Sequence, residues 1–437
     1  MFFIAFFFYD YSKRINKKLL ESSWNKASLI MLIYMILSSA ICLILHNNFK
    51  VFPMLQWPYE NPAGLSLSIC LLYLPAMNAI KMNKHICLII SLLTLVVLLF
   101  TQSRTGLCVA YIIAIAYIFL YLQGIVIKCF ILMALTSFTL LFVLTEKKAS
   151  TEGRSFILQT TLQLIMESPV NGFGNDGFQK EYMKRQGLFF KSHPESDVSI
   201  LADDINHPLS EYVIAWVNEG VCGFLLLFIF TVYPFIYHLL QHHWIHALEN
   251  IPLFVFCSLS YPLNYPISWL FLFVSYFRII SQKKQINEYV FLFIICFMIT
   301  HSAKLALMDI GLIENADYLY NKAYICFRKG QFEESYLYAK KCNDHLSSYN
   351  LELLSGDICR MTSKFEEAKE HYKTASWMCP SRYAPLEGLF LIGEQKKDSL
   401  LMKETALSIL KKHIKIMDNN VLRIRKNAEE FIKNSNQ

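Results

Sequence analysis

Up to residue 307, the apolar residues of this chain gather into long runs rather than alternating along a strand or striping a helix. A helix needs roughly 20 apolar residues to cross a bilayer. Ala27 to His46, Leu65 to Ile80, Ile86 to Thr101, Leu107 to Leu122, Ile125 to Leu144, Tyr212 to Tyr237 and Tyr289 to about Leu307 each read as one crossing. Ile251 to Ile280 is broken by PLNYP (262–266), which predicts a tight hairpin of two helices. Met1 to Tyr9 is too short to cross and reads as a stub. One polar interruption, Thr145 to Leu209, stands out between apolar runs as the one long loop between crossings. Long ordered loops usually carry function.

Composition agrees with this pattern. Of 437 residues, 54% are hydrophobic and only 17% charged, against about 25% charged in a soluble domain. Mean hydropathy is +0.35. The net charge of +7 does not call for nucleic acid, because Lys and Arg sit in short gaps between apolar runs, as membrane topology demands. Placing Asp10 to Lys26, the Lys81–His85 gap, HLLQHHWIHALEN (238–250) and SQKKQ (281–285) in the cytoplasm puts every short basic gap on one side. That assignment carries the Pro- and aromatic-rich segment Asn47 to Gly64, the SRTG turn (103–106), the long loop and the tail to the outer face. In a bacterium with two membranes the chain would then sit in the inner membrane, with that face in the periplasm. MFFIAFFFYD lacks the basic start and cleavage site of a signal peptide.

From Glu314 the chain turns to amphipathic helices with charged faces. GQFEESYLYAKKC (330–342) and SKFEEAKEHYKTA (363–375) align, with Phe332 and Phe365 33 residues apart. The second copy carries Gly356, Ala368, Tyr372, Ala375 and Pro380, the small-and-aromatic spacing of a helix pair of about 34 residues. It resembles a tetratricopeptide repeat, and Ser381 to Leu410 reads as a third, degenerate pair. Such pairs stack into a surface suited to a protein partner. Cys326, Cys342, Cys359 and Cys379 read as buried small residues rather than disulfides. The expected fold is all-α. About nine spanning helices occupy 1–308, with the loop at 145–209, and a helical repeat domain occupies 309–437.

Three residues on the expected outer face carry candidate chemistry. Arg104 sits at a helix mouth, where an arginine at membrane depth pairs, binds something or snorkels to the interface. Arg154 precedes the amphipathic stretch Ser155 to Glu167 and is otherwise a solvated charge at a helix start. His207 lies in NHPLSEY, and histidine is the usual general base near neutral pH. There Asn206 or His207 can instead cap a helix begun by Pro208. Helical spacing would set Glu211 on the face of His207, and Asp203 or Asp204 could orient the imidazole. GFGNDG (172–177) reads as a mobile turn whose Gly172 and Gly174 can pass close to a ligand. It does not follow a strand and is no dinucleotide site. Glu219 and Gly220, about 18 Å further along such a helix, read as a packing element. His238, His242, His243 and His246 have suggestive spacing for metal, but Glu249 is the single carboxylate beside them, so no metal or cofactor is expected.

SRTG, then GR…ESPVNGFGNDGF, then NHPLSEYVIAWVNEGVCG, in that order over about residues 90–280, resemble the bacterial O-antigen ligase and polymerase family. The resemblance implies transfer of a glycan from undecaprenyl diphosphate to an acceptor hydroxyl at the periplasmic face, without metal or nucleotide. It assigns catalysis to Arg104, Arg154 and His207. Both arginines would bind the donor, and Gly172, Gly174 and Glu211 are further candidates for substrate contact. Lipid A-core is the favoured acceptor. A second lipid-linked glycan (a polymerase) and a protein hydroxyl are the alternatives. A transporter or a repeat scaffold is the reading from another class. The repeat tail is an addition to the family pattern, and the N-terminus is short of helices the family usually has.

Overall fold

The computed structural model describes residues 17–45, 59, 61–80, 83–121, 148–282, 316–412 and 418–435. The expected stub at Met1 to Tyr9, the crossings at 125–144 and 289–307, and most of Asn47 to Gly64 lie outside them. Among the described residues every regular element is helical. Contacts divide the chain into two compact units.

The first unit holds α1 (Lys17–Leu45), α2 (Pro62–Ile80), α3 (Lys84–Thr101), α4 (Arg104–Tyr121), α8 (Trp244–Leu259) and α9 (Pro266–Gln282). It also holds residues 211–212 and 225–240 of α7 (Glu211–Leu240). The helices cover the apolar runs, but two begin earlier than expected: α1 takes in Lys17–Lys26 and α8 takes in Trp244–Asn250, both within segments read as polar gaps. Lys18–Leu43, Pro62–Ile80 and Glu211–Leu240 are each long and apolar enough to cross a membrane. The others are apolar but shorter. The expected hairpin is present as α8, a 3-10 turn at Pro262–Asn264, and α9. Ile30, Leu37, Leu88, Leu92, Leu226 and Ile229 are each more than half exposed on the outer faces of these helices. Exposed apolar faces of this extent mark a surface that meets lipid rather than water.

The charged side chains described in this unit lie towards its two ends, while hydroxyl pairs such as Tyr73 with Ser91 and Tyr212 with Thr231, each at 2.8 Å, sit between them. At one end, Glu249 takes the guanidinium of Arg278, lies 3.4 Å from His246 Nδ1 and accepts from Asn78 at 3.4 Å, and His246 Nε2 lies 3.2 Å from Glu21. These residues come from four helices and from segments expected in or beside the cytoplasm. At the other end lie the 103–106 turn, the start of α2 and the 262–264 turn.

The second unit combines residues 147–208, 213–224 and 304–437. It contains α5 (Lys148–Glu167), α6 (Gly177–Ser192) and seven tail helices. Three tail pairs are α10 (Ala316–Arg328) with α11 (Phe332–Asn343), α12 (Tyr349–Met361) with α13 (Phe365–Met378), and α14 (Ala384–Lys396) with α15 (Ser399–Lys411). A further helix, α16 (Asn419–Ser435), was not anticipated from the sequence. All three pairs turn alike: the N–H groups of Gln331, Lys364 and Asp398 donate to Cys326, Cys359 and Gly393 carbonyls at 2.9, 2.8 and 2.8 Å. The ring of Tyr372 lies against both Gly356 and Gly388, so adjacent pairs share one aromatic filler. The four tail cysteines are buried and unlinked.

This grouping differs from the expected division at residue 308, which kept the loop with the apolar helices. The physical reason is the apolar face of the loop helices. Leu164, Ile165, Phe178, Tyr182 and Met183 form one core with Tyr349, Ala375, Met378 and Cys379 of the tail.

Candidate functional site

Arg104 opens α4, and its turn is fixed from both sides. Gln102 ends α3 in the left-handed region, at φ 51. The Gly106 N–H donates to the Ser103 hydroxyl at 3.2 Å, so Ser103 caps the new helix. The Ser66 hydroxyl donates to Ser103 Oγ at 2.9 Å, and a Cβ on Gly106 would lie 2.6 Å from Ser66 Cβ. Helix α2 thus seats against the first turn of α4, and glycine is required there. Arg104 itself is half-buried.

The same end of this unit carries Glu211. Tyr59 and Tyr265 meet edge to face at 5.2 Å beside Gly64, near the start of α2. Tyr265 follows the 262–264 turn, whose Leu263 N–H donates to Glu211 Oε1 at 2.9 Å. Glu211 is 7% exposed. This carboxylate therefore has a structural duty, holding the hairpin turn, which its i, i+4 spacing from His207 did not suggest. The expected shared helical face is also absent. Residues 201–210 are not helical, Leu209 has φ 60, and the helix begins at Glu211 rather than at Pro208.

In the second unit, Arg154 lies in the second turn of α5, not at a helix start. It is exposed, while Phe156 and Thr160 are buried. Phe156 packs on Phe189 and Phe190 at 5.1 and 5.3 Å, which fixes how the helix is rolled.

His207 follows a heavily anchored strip of chain. Asp203 pairs with Arg382 at 2.5 Å. The Asp204 carboxylate accepts the Tyr349 and Asn350 N–H groups at 3.2 and 3.3 Å, capping α12. The Ile205 N–H points to Met183 Sδ at 3.5 Å. Asp203 and Asp204, read from sequence as partners for the imidazole, are thus engaged with the tail. His207 is half-buried, and burial pushes its pKa down to about 4. The imidazole is neutral at neutral pH and able to accept a proton, though as a weak base.

GFGNDG is pinned rather than mobile. Helix α7 breaks at Gly220, where φ is 70 and ψ −165. The break frees the Val217 and Asn218 carbonyls, which accept Phe173 and Gly174 N–H groups at 2.8 Å each. In exchange, the Val221 N–H donates to the Pro169 carbonyl at 3.0 Å. Asn218 Oδ1 accepts the Phe178 N–H at 3.0 Å, at the start of α6. Gly172 lies at φ 66, and a Cβ there would come 2.3 Å from the Asn218 carbonyl oxygen. Packing therefore accounts for glycine at 172. Gly174, at φ 82, has no neighbour within 4 Å of its Cβ position. Gly220 is thus a packing element, since a Cβ there would come 1.9 Å from the Val170 carbonyl oxygen. Asn218 was missed, although an Asn before a Glu–Gly pair inside an apolar helix is a visible signal.

Sequence reasoning also missed Arg278 and Glu21, which join His246 and Glu249. The ring of His238 lies 5.3 Å from His246 and 6.0 Å from His243. A cavity of about 280 Å³ lies in the tail, lined by Glu387, Phe390, Met402, Arg423 and Phe431 among others. None of the candidate residues lines it.

A family model described as O-antigen ligase matches residues 89–228, less than half of the chain. The match spans Arg104, Arg154, the 172–177 segment, His207 and Glu211. It supports an enzyme of the O-antigen ligase or polymerase type in a membrane. No curated protein and no solved structure matches the chain.

Proposed function

We propose that this protein is a metal-independent glycosyltransferase of the O-antigen ligase type. It moves a glycan from undecaprenyl diphosphate to an acceptor hydroxyl at the periplasmic face of the inner membrane. The observation that carries the reading is the family match, which contains Arg104, Arg154 and His207 in serial order.

The chemistry suits these groups. A glycosyl diphosphate concentrates negative charge on its leaving group. Arginine offers phosphate a rigid fork of donors and stays charged at any relevant pH. Arg104 and Arg154 hold the diphosphate and stabilise the charge that develops as the bond from the anomeric carbon to the phosphate oxygen breaks. The acceptor oxygen attacks the opposite face of that carbon, and its proton passes to His207. The products are the glycosylated acceptor, with inverted anomeric configuration, and undecaprenyl diphosphate.

Lipid A-core is the acceptor we favour. A polymerase would use a second lipid-linked glycan, and a protein transferase would use a hydroxyl presented near the tetratricopeptide-like tail. The test is reconstitution in proteoliposomes with lipid-diphosphate glycan and each acceptor in turn. Arg104→Ala, Arg154→Ala and His207→Ala should each stop transfer while the protein still inserts. Full activity of the His207 variant rejects the base assignment. Deletion in the native host separates the acceptors: unattached long chains mean ligase, single attached units mean polymerase, and unglycosylated periplasmic protein means protein transferase.

A further inference from the structure

Resting on the proposed role of His207, we propose that the helical tail positions the catalytic histidine, with Gln186 and Asp204 as the positioning residues. The link runs through backbone and side chains of the second unit alone. Gln186 is 1% exposed, and its amide nitrogen donates twice, to the Asp203 carbonyl at 3.0 Å and to the Met378 carbonyl at 2.7 Å. Its amide oxygen accepts the Tyr182 hydroxyl at 3.1 Å. One buried side chain on α6 thus ties the strip before His207 to the end of a tail helix.

Asp204 makes the second tie. Its carboxylate sits on the first N–H groups of α12, where unpaired donors and the helix dipole favour an acceptor. Asp203 with Arg382, and Ile205 with Met183, fix the residues on either side. Three consecutive residues are therefore clamped. His207 follows Ile205 by two residues, a reach of at most about 7 Å. A buried, fully hydrogen-bonded amide is demanding to satisfy, because an unpaired donor in that place is destabilising. A loop that needed only to cover apolar surface would not require Gln186. Two further contacts brace α6 itself: Ser347 N–H donates to the Gln179 carbonyl at 3.0 Å, and Lys191 lies 4.4 Å from the centre of the Trp377 ring. The tail in this view is part of the catalytic machinery's frame rather than an appended adaptor.

Gln186→Leu, Asp204→Ala and Asp204→Asn in the full-length reconstituted protein test this. Gln186→Leu and Asp204→Ala should lower kcat at least tenfold and leave KM for donor and acceptor within twofold. Asp204→Asn keeps one of the two acceptor oxygens and should give a kcat between those of Asp204→Ala and wild type. Hydrogen exchange on the same proteins, without substrate, should show faster exchange at 203–207 and at 349–351 in Asp204→Ala, with the 103–107 amides unchanged. The exchange arm stands even if no donor is ever transferred, so failure of the activity reading is distinct from failure of the clamp. Unchanged exchange at 203–207 in both Gln186→Leu and Asp204→Ala, or kcat within twofold of wild type in both, overturns the proposal.

Discussion

Gly172 and Gly220 approach so closely that a Cβ on Gly172 would lie 2.6 Å from the Gly220 nitrogen. A Cβ on Gly220 would lie 1.9 Å from the Val170 carbonyl oxygen. Backbone meets backbone here, so no flexible side chain can move aside. The conformation of Gly220 is one that only glycine adopts without strain, at about 1–3 kcal/mol for other residues. Gly220→Ala should therefore lower the melting temperature of the detergent-solubilised protein sharply. A melt within 2 °C or so of wild type, for a strain of this order, would mean that the two segments part without penalty.

Arg154 separates stability from the proposed chemistry. It is exposed, and solvent screens any pairing of an exposed charge, so Arg154→Ala should change folding stability by no more than about 1 kcal/mol. Transfer should nevertheless fall by a factor of ten or more, and Arg154→Lys should restore little of it, because a point charge lacks the guanidinium fork. Thermal melts and initial rates on the same preparation check both halves.

The buried imidazole of His207 gives a pH signature. Its pKa is about 4 in the folded chain, against about 6.5 unfolded. Between these values the unfolded chain binds more protons than the folded one. The contribution is fully present above about pH 6.5 and is lost as pH falls towards 4. His207→Gln should flatten the fall in melting temperature between pH 7 and 4. In the wild type, the acid limb of kcat/KM should lie below pH 6. A limb at 6.5 would indicate a solvated imidazole in the free enzyme.

Arg278 and Glu249 are 3% and 1% exposed and pair with each other. Arg278→Ala leaves a buried carboxylate without its strongest partner, a loss of about 3–5 kcal/mol. The double variant Arg278→Met with Glu249→Leu removes both charges and should recover much of it. Melting temperatures of the two variants decide this, and an equally unstable double variant would show that the wider polar cluster matters more than the pair.

Gly388 tests the shared filler of the tail. A Cβ there would lie 2.4 Å from the Tyr372 ring, so Gly388→Ala should destabilise the tail by about 1–3 kcal/mol. Limited proteolysis of the full chain should then cut within 380–412 sooner than in wild type.

Local pattern was enough for much of the fold. A run of apolar residues of bilayer length forms a helix whatever surrounds it, because its backbone must satisfy its own hydrogen bonds in lipid. So α2, α3, α4, α7 and the α8–α9 hairpin were legible at Leu65, Ile86, Leu107, Tyr212 and PLNYP. The helix pairs of the tail were legible for a similar reason, since Gly356, Ala375 and Tyr372 record how closely two neighbouring helices must pack.

The candidate residues Arg104, Arg154 and His207 were legible as residue types in an order, but not their surroundings. Asp203, Asp204 and Glu211 looked like partners for an imidazole because they are near it along the chain. Their carboxylates meet Arg382, the N-terminus of α12 and the Leu263 amide, partners from 52 to 179 residues away. GFGNDG looked mobile because glycines permit motion, whereas a break in a distant helix supplies the carbonyls that pin it. Periodicity and composition report which face of an element avoids water. Which partner covers that face, and which buried donor meets which acceptor, depends on segments far apart in the chain, and only the tertiary structure brings them together.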